Sequence, residues 1–239
     1  MLPENMRKRL TIILIVCAIS STLIYANVIA SSAADTFISV DEFFTAIDKG
    51  NVDIVQKYIR AGNSINVKSE KGYSPLHFLF YCMPYKGSNK SQEKIARLLL
   101  DAGANVNEIK DNSYTKVSVF YLVVQTDDEA IVNLFIRRGA NKEARIEGLF
   151  AAASRGHINI CKRILDSGID VNSRDKFGQT PLFLVSKISM AKYLVSRGAD
   201  VNAKTDEGES VLDWLSNSVN ETDHKIISYL MEKGAKKTR

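Results

Sequence analysis

The 239-residue sequence predicts an all-α solenoid of about six helix–turn–helix units at irregular spacing. Three observations predict it. A glycine-centred segment recurs six times, an amphipathic run precedes each copy, and hydroxyl–proline signals open some of the units. The recurrent segments are Ala61-Gly62-Asn63-Ser64-Ile65-Asn66, Ala102-Gly103-Ala104-Asn105-Val106-Asn107, Arg138-Gly139-Ala140-Asn141, Ser167-Gly168-Ile169-Asp170-Val171-Asn172, Arg197-Gly198-Ala199-Asp200-Val201-Asn202 and Lys233-Gly234-Ala235. The runs before them, such as Ile95-Ala96-Arg97-Leu98-Leu99-Leu100 and Ile160-Cys161-Lys162-Arg163-Ile164-Leu165, place apolar residues at helical spacing. Each glycine therefore ends a helix, where a left-handed residue is wanted.

The start signals stand at Gly72-Tyr73-Ser74-Pro75-Leu76-His77 and Gly178-Gln179-Thr180-Pro181-Leu182-Phe183. The hydroxyl caps free N–H groups, and proline is tolerated at the first helical position. Each unit then reads as turn, short helix, turn, longer helix. With Leu149-Phe150-Ala151-Ala152-Ala153-Ser154-Arg155-Gly156-His157 running on to Gly168, these segments resemble the ankyrin-repeat family, whose pattern is Thr-Pro-Leu-His, Gly-His, then Gly-Ala-Asp-Val-Asn. The resemblance covers about residues 38–236, in units of about 38–68, 69–109, 110–144, 145–173, 174–203 and 204–236, the first and last being caps. The repeat glycines are 41, 36, 29, 30 and 36 residues apart, against about 33 for a regular ankyrin unit. Residues 83–90 form an insertion with proline and glycine between the helices of the second unit. The third has Tyr114-Thr115-Lys116-Val117-Ser118-Val119-Phe120 in place of a start signal, the fourth has almost no turn before Leu149, and the fifth is short around 186–189.

Residues 1–34 read as an export signal ahead of the repeat domain at 35–239. Arg7-Lys8-Arg9 precedes an uncharged stretch from Leu10 to Ala30, and small residues follow at Ser31-Ser32-Ala33-Ala34. A cleaved secretory signal and an uncleaved membrane anchor both fit, and both place the rest outside the cytoplasm, in the periplasm or secreted. Membrane contact is expected only through that segment. The formal charge is +5, of which the first 34 residues hold +2. The remaining excess is small and scattered, which argues against nucleic-acid binding.

Beyond the signal the cysteines are Cys82 and Cys161, read as buried thiols or, alternatively, a disulfide. No metal-ligand spacing, phosphate loop or nucleophile motif occurs, so no cofactor and no catalysis are expected. Asp127-Asp128-Glu129 reads as a loop leading into helix-start acids. The resemblance gives His77 and His157 structural roles at turns and helix ends, while His224 is expected to be exposed. Trp214 is expected to fill the core of the last unit.

In the ankyrin family the turn tips and the exposed side of the first helices line a concave partner-binding face. By position this implies Glu70, Lys71 and Tyr73; Asp111, Asn112 and Tyr114; Lys176, Phe177 and Gln179; and Asp206, Glu207 and Glu209. Exposed turn aromatics serve as interface anchors or pack on neighbouring turns, and both readings stand for Tyr73, Tyr114 and Phe177. Tyr85, in the inserted loop, is a further candidate. The expected function is protein binding outside the cytoplasm by a chain that is a monomer when unbound, as an immunity or inhibitor protein. The alternatives are an envelope or host-directed scaffold, and a hydrolase hidden in degenerate repeats.

Overall fold

The structure is a computed structural model describing residues 38–82, 90–112, 115–217 and 221–238. Residues 1–37, which hold the segment read from the sequence as an export signal, Tyr85 with most of the insertion, and Tyr114 lie outside the described residues. Six helical pairs follow one another: α1 (Val40–Asp48) and α2 (Val52–Arg60), α3 (Pro75–Cys82) and α4 (Lys90–Asp101), α5 (Val119–Val124) and α6 (Glu129–Arg137), α7 (Lys142–Arg155) and α8 (Ile158–Asp166), a 3-10 turn (Pro181–Leu184) and α9 (Ile188–Ser196), and α10 (Val211–Ser216) with α11 (Glu221–Glu232). The first helices stack in the order α1, α3, α5, α7, 3-10 turn, α10. The second helices form a parallel layer, with α2, α4, α6 and α8 in succession and α9 against α11.

Local sequence explains where these helices begin. The Ser39 hydroxyl accepts from the Glu42 N–H (3.1 Å), and the Asn51 side chain accepts from Ile54 (3.2 Å). Asp128 caps α6 through Ala130 and Ile131, with Glu129 in the first turn, as the acidic triplet predicts. Each such cap satisfies an N–H that the helix leaves free. The apolar stripes then meet in one continuous core, which includes Phe43, Leu79, Phe80, Phe120, Phe135, Ile164, Leu194 and Leu230. Phe43 stacks on Tyr58 with ring centroids 3.9 Å apart, and Phe80 meets Phe135 edge-on at 5.5 Å.

The departures from regular spacing have structural counterparts. The third unit opens with an antiparallel hairpin, β1 (Ile109–Asn112) and β2 (Thr115–Ser118), in which Ile109 faces Ser118 and Asn112 faces Thr115. This is the one strand pair among the described residues. Ser118 ends it and caps α5 through the Tyr121 N–H, supplying the start signal that the sequence lacked. In the fourth unit the turn is absorbed into α7, which begins at Lys142 and runs for 14 residues. In the fifth, the first helix contracts to the 3-10 turn.

The recurrent Val-Asn of the sequence joins neighbouring units. The Asn107 amide donates to the Gly139 carbonyl (3.0 Å), and its oxygen accepts from the Asn141 N–H (2.8 Å). Asn172 bonds Gly198 and Asp200 in the same way (3.1 and 2.9 Å), and Asn202 bonds Gly234 and Lys236 (3.2 and 2.9 Å). At the step from the third unit to the fourth, α7 has already started. There the Arg145 guanidinium donates to the Ser167 carbonyl (2.8 Å) and hydroxyl (2.9 Å).

Candidate protein-binding face

Three turn tips share one backbone pattern. Ser69, Asp175 and Thr205 each donate an N–H to the carbonyl four residues on, at Tyr73, Gln179 and Glu209 (2.9, 3.0 and 2.9 Å). The glycines Gly72, Gly178 and Gly208 donate back to Ser69, Asp175 and Thr205 (2.7, 3.1 and 2.9 Å). Each tip needs a residue at positive φ, and the three glycines supply φ of 72°, 73° and 82°. The first residue also holds its own loop through its side chain: Asp175 Oδ1 accepts from Phe177 and Gln179 N–H (2.8 and 2.9 Å), and Thr205 Oγ1 from Glu209 (3.1 Å).

The fifth and sixth tips are also tied to each other. Asp206 N–H donates to the Phe177 carbonyl (3.1 Å), and Arg174 Nη1 reaches both the Gly178 and the Lys204 carbonyls (2.9 Å each). Here the structure brings six sequence-predicted residues around one cleft of about 430 Å³: Lys176, Phe177, Gln179, Asp206, Glu207 and Glu209. Thr205 and Trp214 complete its lining. Phe177 is 58% exposed, with Lys176 Nζ 4.9 Å from its ring centroid. Trp214 corrects the sequence expectation. It is 41% exposed, because Val211, Leu212 and Leu215 already complete the buried stripe of the six-residue α10. That completed stripe is the signal by which the sequence could have placed Trp214 on the surface. The adjoining polar cleft, about 610 Å³, shares Glu207 and Glu209 and adds Asp213. Hydrogen bonds from Ser210 and Thr238 hold the Asp213 carboxyl down at about 2.

The second and third units contribute separately. Glu70 and Lys71 line a cleft of about 310 Å³ with Asp41, Phe44 and Phe78. Tyr73 is half-buried, stacked on Tyr81 (4.7 Å) with Lys110 Nζ 5.0 Å from its ring. It therefore packs on its neighbours, and Tyr81 is the exposed member of the pair. Asp111 is exposed on the hairpin beside Lys116 (3.5 Å), and the Asn112 backbone sits at the end of β1.

Two of the three histidines are occupied structurally. His77 is buried, with Nδ1 3.1 Å from the Ser74 hydroxyl and Nε2 3.1 Å from the Val117 carbonyl of the next unit. Burial holds its imidazole below the usual 6.5, and Lys68 and Lys110 push the same way against the Val117 hydrogen bond. His157 Nδ1 lies 3.2 Å from the Val124 carbonyl. His224 is exposed, as expected. Cys161 is a buried free thiol that burial pushes up to about 12. Such a group is a poor nucleophile at neutral pH. Among the described residues no cluster of three metal-ligating side chains occurs, and no helix is long and apolar enough to cross a membrane.

Stacked helical pairs ended by glycine, with rigid turn tips along one side, define a helical repeat solenoid of the kind that presents an extended binding surface. Sequence models for ankyrin repeats match residues 149–239, as three copies, and 71–112, together more than half of the chain. The chain belongs to the ankyrin-repeat family. It is 33% identical over 178 residues to alpha-latrocrustotoxin-Lt1a of Latrodectus tredecimguttatus, covering 68% of this chain and 12% of that protein. To the Bos taurus ankyrin repeat and SOCS box protein 3 it is 26% identical over 180 residues, covering 59% of this chain and 33% of that one. The chain thus spans a third or less of these curated relatives. Among solved structures, the ankyrin repeat domain of Bcl-3 superposes with a TM-score of 0.65 at 21% identity, covering 81% of this chain and 86% of that one. An ankyrin repeat domain from Acinetobacter baumannii gives 0.63 at 21%, covering 81% and 98%. Both likenesses establish the fold.

Proposed function

We propose that this chain is a non-enzymatic protein-binding module that works outside the cytoplasm and holds its partner against the tips of the fifth and sixth units. The supporting observation is the cleft in which six turn residues converge on rigid, mutually bonded tips beside two exposed aromatics. Aromatic anchors in pre-ordered pockets dominate protein interfaces, because they bury large area with little loss of side-chain freedom. The role we favour is that of an immunity or inhibitor protein, which blocks another protein by occupying its surface. The basic and then apolar N-terminal sequence supports an exported setting.

The test is affinity capture of the C-terminally tagged chain from its own cells, followed by mass spectrometry. One dominant partner in near-equal amount supports dedicated recognition, and a lytic or toxic enzyme as that partner supports the inhibitor role. Sustained turnover of a substrate by the purified chain, lost in a folded His77 or His157 variant, would contradict a non-enzymatic module.

A further inference from the structure

Resting on the protein-binding reading, we infer that the cleft between the fifth and sixth tips is a receptor for an arginine side chain presented by the partner protein. Three independent features converge there. The first is charge: Asp206, Glu207 and Glu209 face the cleft against Lys176 alone. Asp206 has only a loose ion pair, with Arg174 Nη1 3.9 Å from Oδ1, while Glu209 Oε1 accepts a neutral hydrogen bond from Asn217 (3.0 Å). These carboxylates therefore keep capacity for a further cation.

The second feature is aromatic. Phe177 and Trp214 expose their rings to the same space, and Lys176 Nζ, 4.9 Å from the Phe177 centroid, shows that this ring already draws a cation. Guanidinium stacks on such faces better than ammonium does, because it is planar and more weakly hydrated. The third is Gln179. Its residue is 6% exposed, its side chain lines the cleft, and its carboxamide has no hydrogen-bond partner among the described residues. Its polar atoms stay in reach of the cleft's solvent, and its oxygen is open to accept a guanidinium N–H. An acidic partner segment would meet three like charges here, and an apolar one would leave Gln179 and the carboxylates without partners.

Trp214 is the chain's one tryptophan, so its fluorescence reports on this cleft alone. We would titrate the full-length chain, at constant ionic strength, with the blocked tripeptide Gly-Arg-Gly and with its citrulline counterpart, which keeps the shape and loses the charge. The expected result is a saturable change with the arginine peptide, with a Kd on the order of 1 mM, and at least tenfold weaker response to citrulline. Asp206→Asn with Glu209→Gln should weaken arginine binding about tenfold or more, with circular dichroism confirming the fold. Phe177→Ala, on an exposed tip, is the second variant and should do the same. No saturable change, an equal response to citrulline, or binding unaltered in both folded variants would overturn the proposal. The peptide is of defined sequence, so failure of this titration leaves a captured protein partner standing, and failure of the capture leaves the titration standing.

Discussion

Two hydroxyls at equivalent sites show how much one neighbour decides. Ser74 Oγ accepts from the His77 N–H and meets His77 Nδ1, so it is fully used. Thr180 occupies the same place in its unit, but Phe183 stands where the histidine would, and the Thr180 hydroxyl is buried without a partner. An unsatisfied buried hydroxyl costs about 1–3 kcal/mol. Thr180→Val should therefore leave stability unchanged or raise it by up to about 1 kcal/mol, whereas Ser74→Ala should lower it by about 1–2 kcal/mol in urea denaturation. His77 adds a pH dependence. Its folded imidazole titrates below 6.5, so the unfolded chain takes up the proton first and stability falls as pH drops through about 6.5 towards the lowered value. The hydrogen bond to the Val117 carbonyl moderates the effect without removing it. A His77→Gln variant should show a flatter stability profile between about pH 7 and 5. The sequence placed His77 and Ser74 through their motif. It could not show that Phe183 leaves Thr180 without a partner, because the motif match at Thr180-Pro181-Leu182 hides what the fourth residue removes.

At the scale of the element, the helix-ending glycines and the Val-Asn pairs act together. Gly198 has φ of 89° with nothing within 4 Å of where a Cβ would stand. Gly198→Val should cost about 1–3 kcal/mol from backbone strain alone, and Gly103, at φ 90°, should behave alike. The asparagine clamps couple one unit to the next, so Asn202→Ala should lower the melting temperature through loss of two inter-unit hydrogen bonds, about 1–2 kcal/mol together. An Asn202→Ala protein as stable as wild type would show that packing alone joins the last two units. The number and order of units were legible because glycine recurs for a backbone reason that survives sequence drift. The β1–β2 hairpin was not. Its segment was seen as a missing start signal, and the pairing of Ile109 with Ser118 depends on where the second unit's helices carry the chain.

For the molecule as a whole, the proposed binding face divides into a region on the second and third units and a cleft on the fifth and sixth. The fourth unit contributes no tip, since α7 has absorbed its turn. Positional reasoning gathers the residues of the cleft between the fifth and sixth tips because turn tips repeat with the units. It misjudged Trp214, whose exposure depends on a helix too short to bury a second stripe. It also weighted Tyr73 and Phe177 equally. Tyr73 is tied into Tyr81 and Lys110, whereas Phe177 carries its ring into the cleft, so Phe177 is the cleaner probe of recognition. The most direct measurement is capture of the partner by wild-type, Phe177→Ala and Gly198→Val chains, alongside their melting temperatures. The account predicts that Phe177→Ala melts with wild type yet retains the partner at least tenfold less well, while Gly198→Val melts several degrees lower. Full partner retention by Phe177→Ala, or thermal losses equal to those of Gly198→Val, would contradict the assignment of this cleft as the binding face.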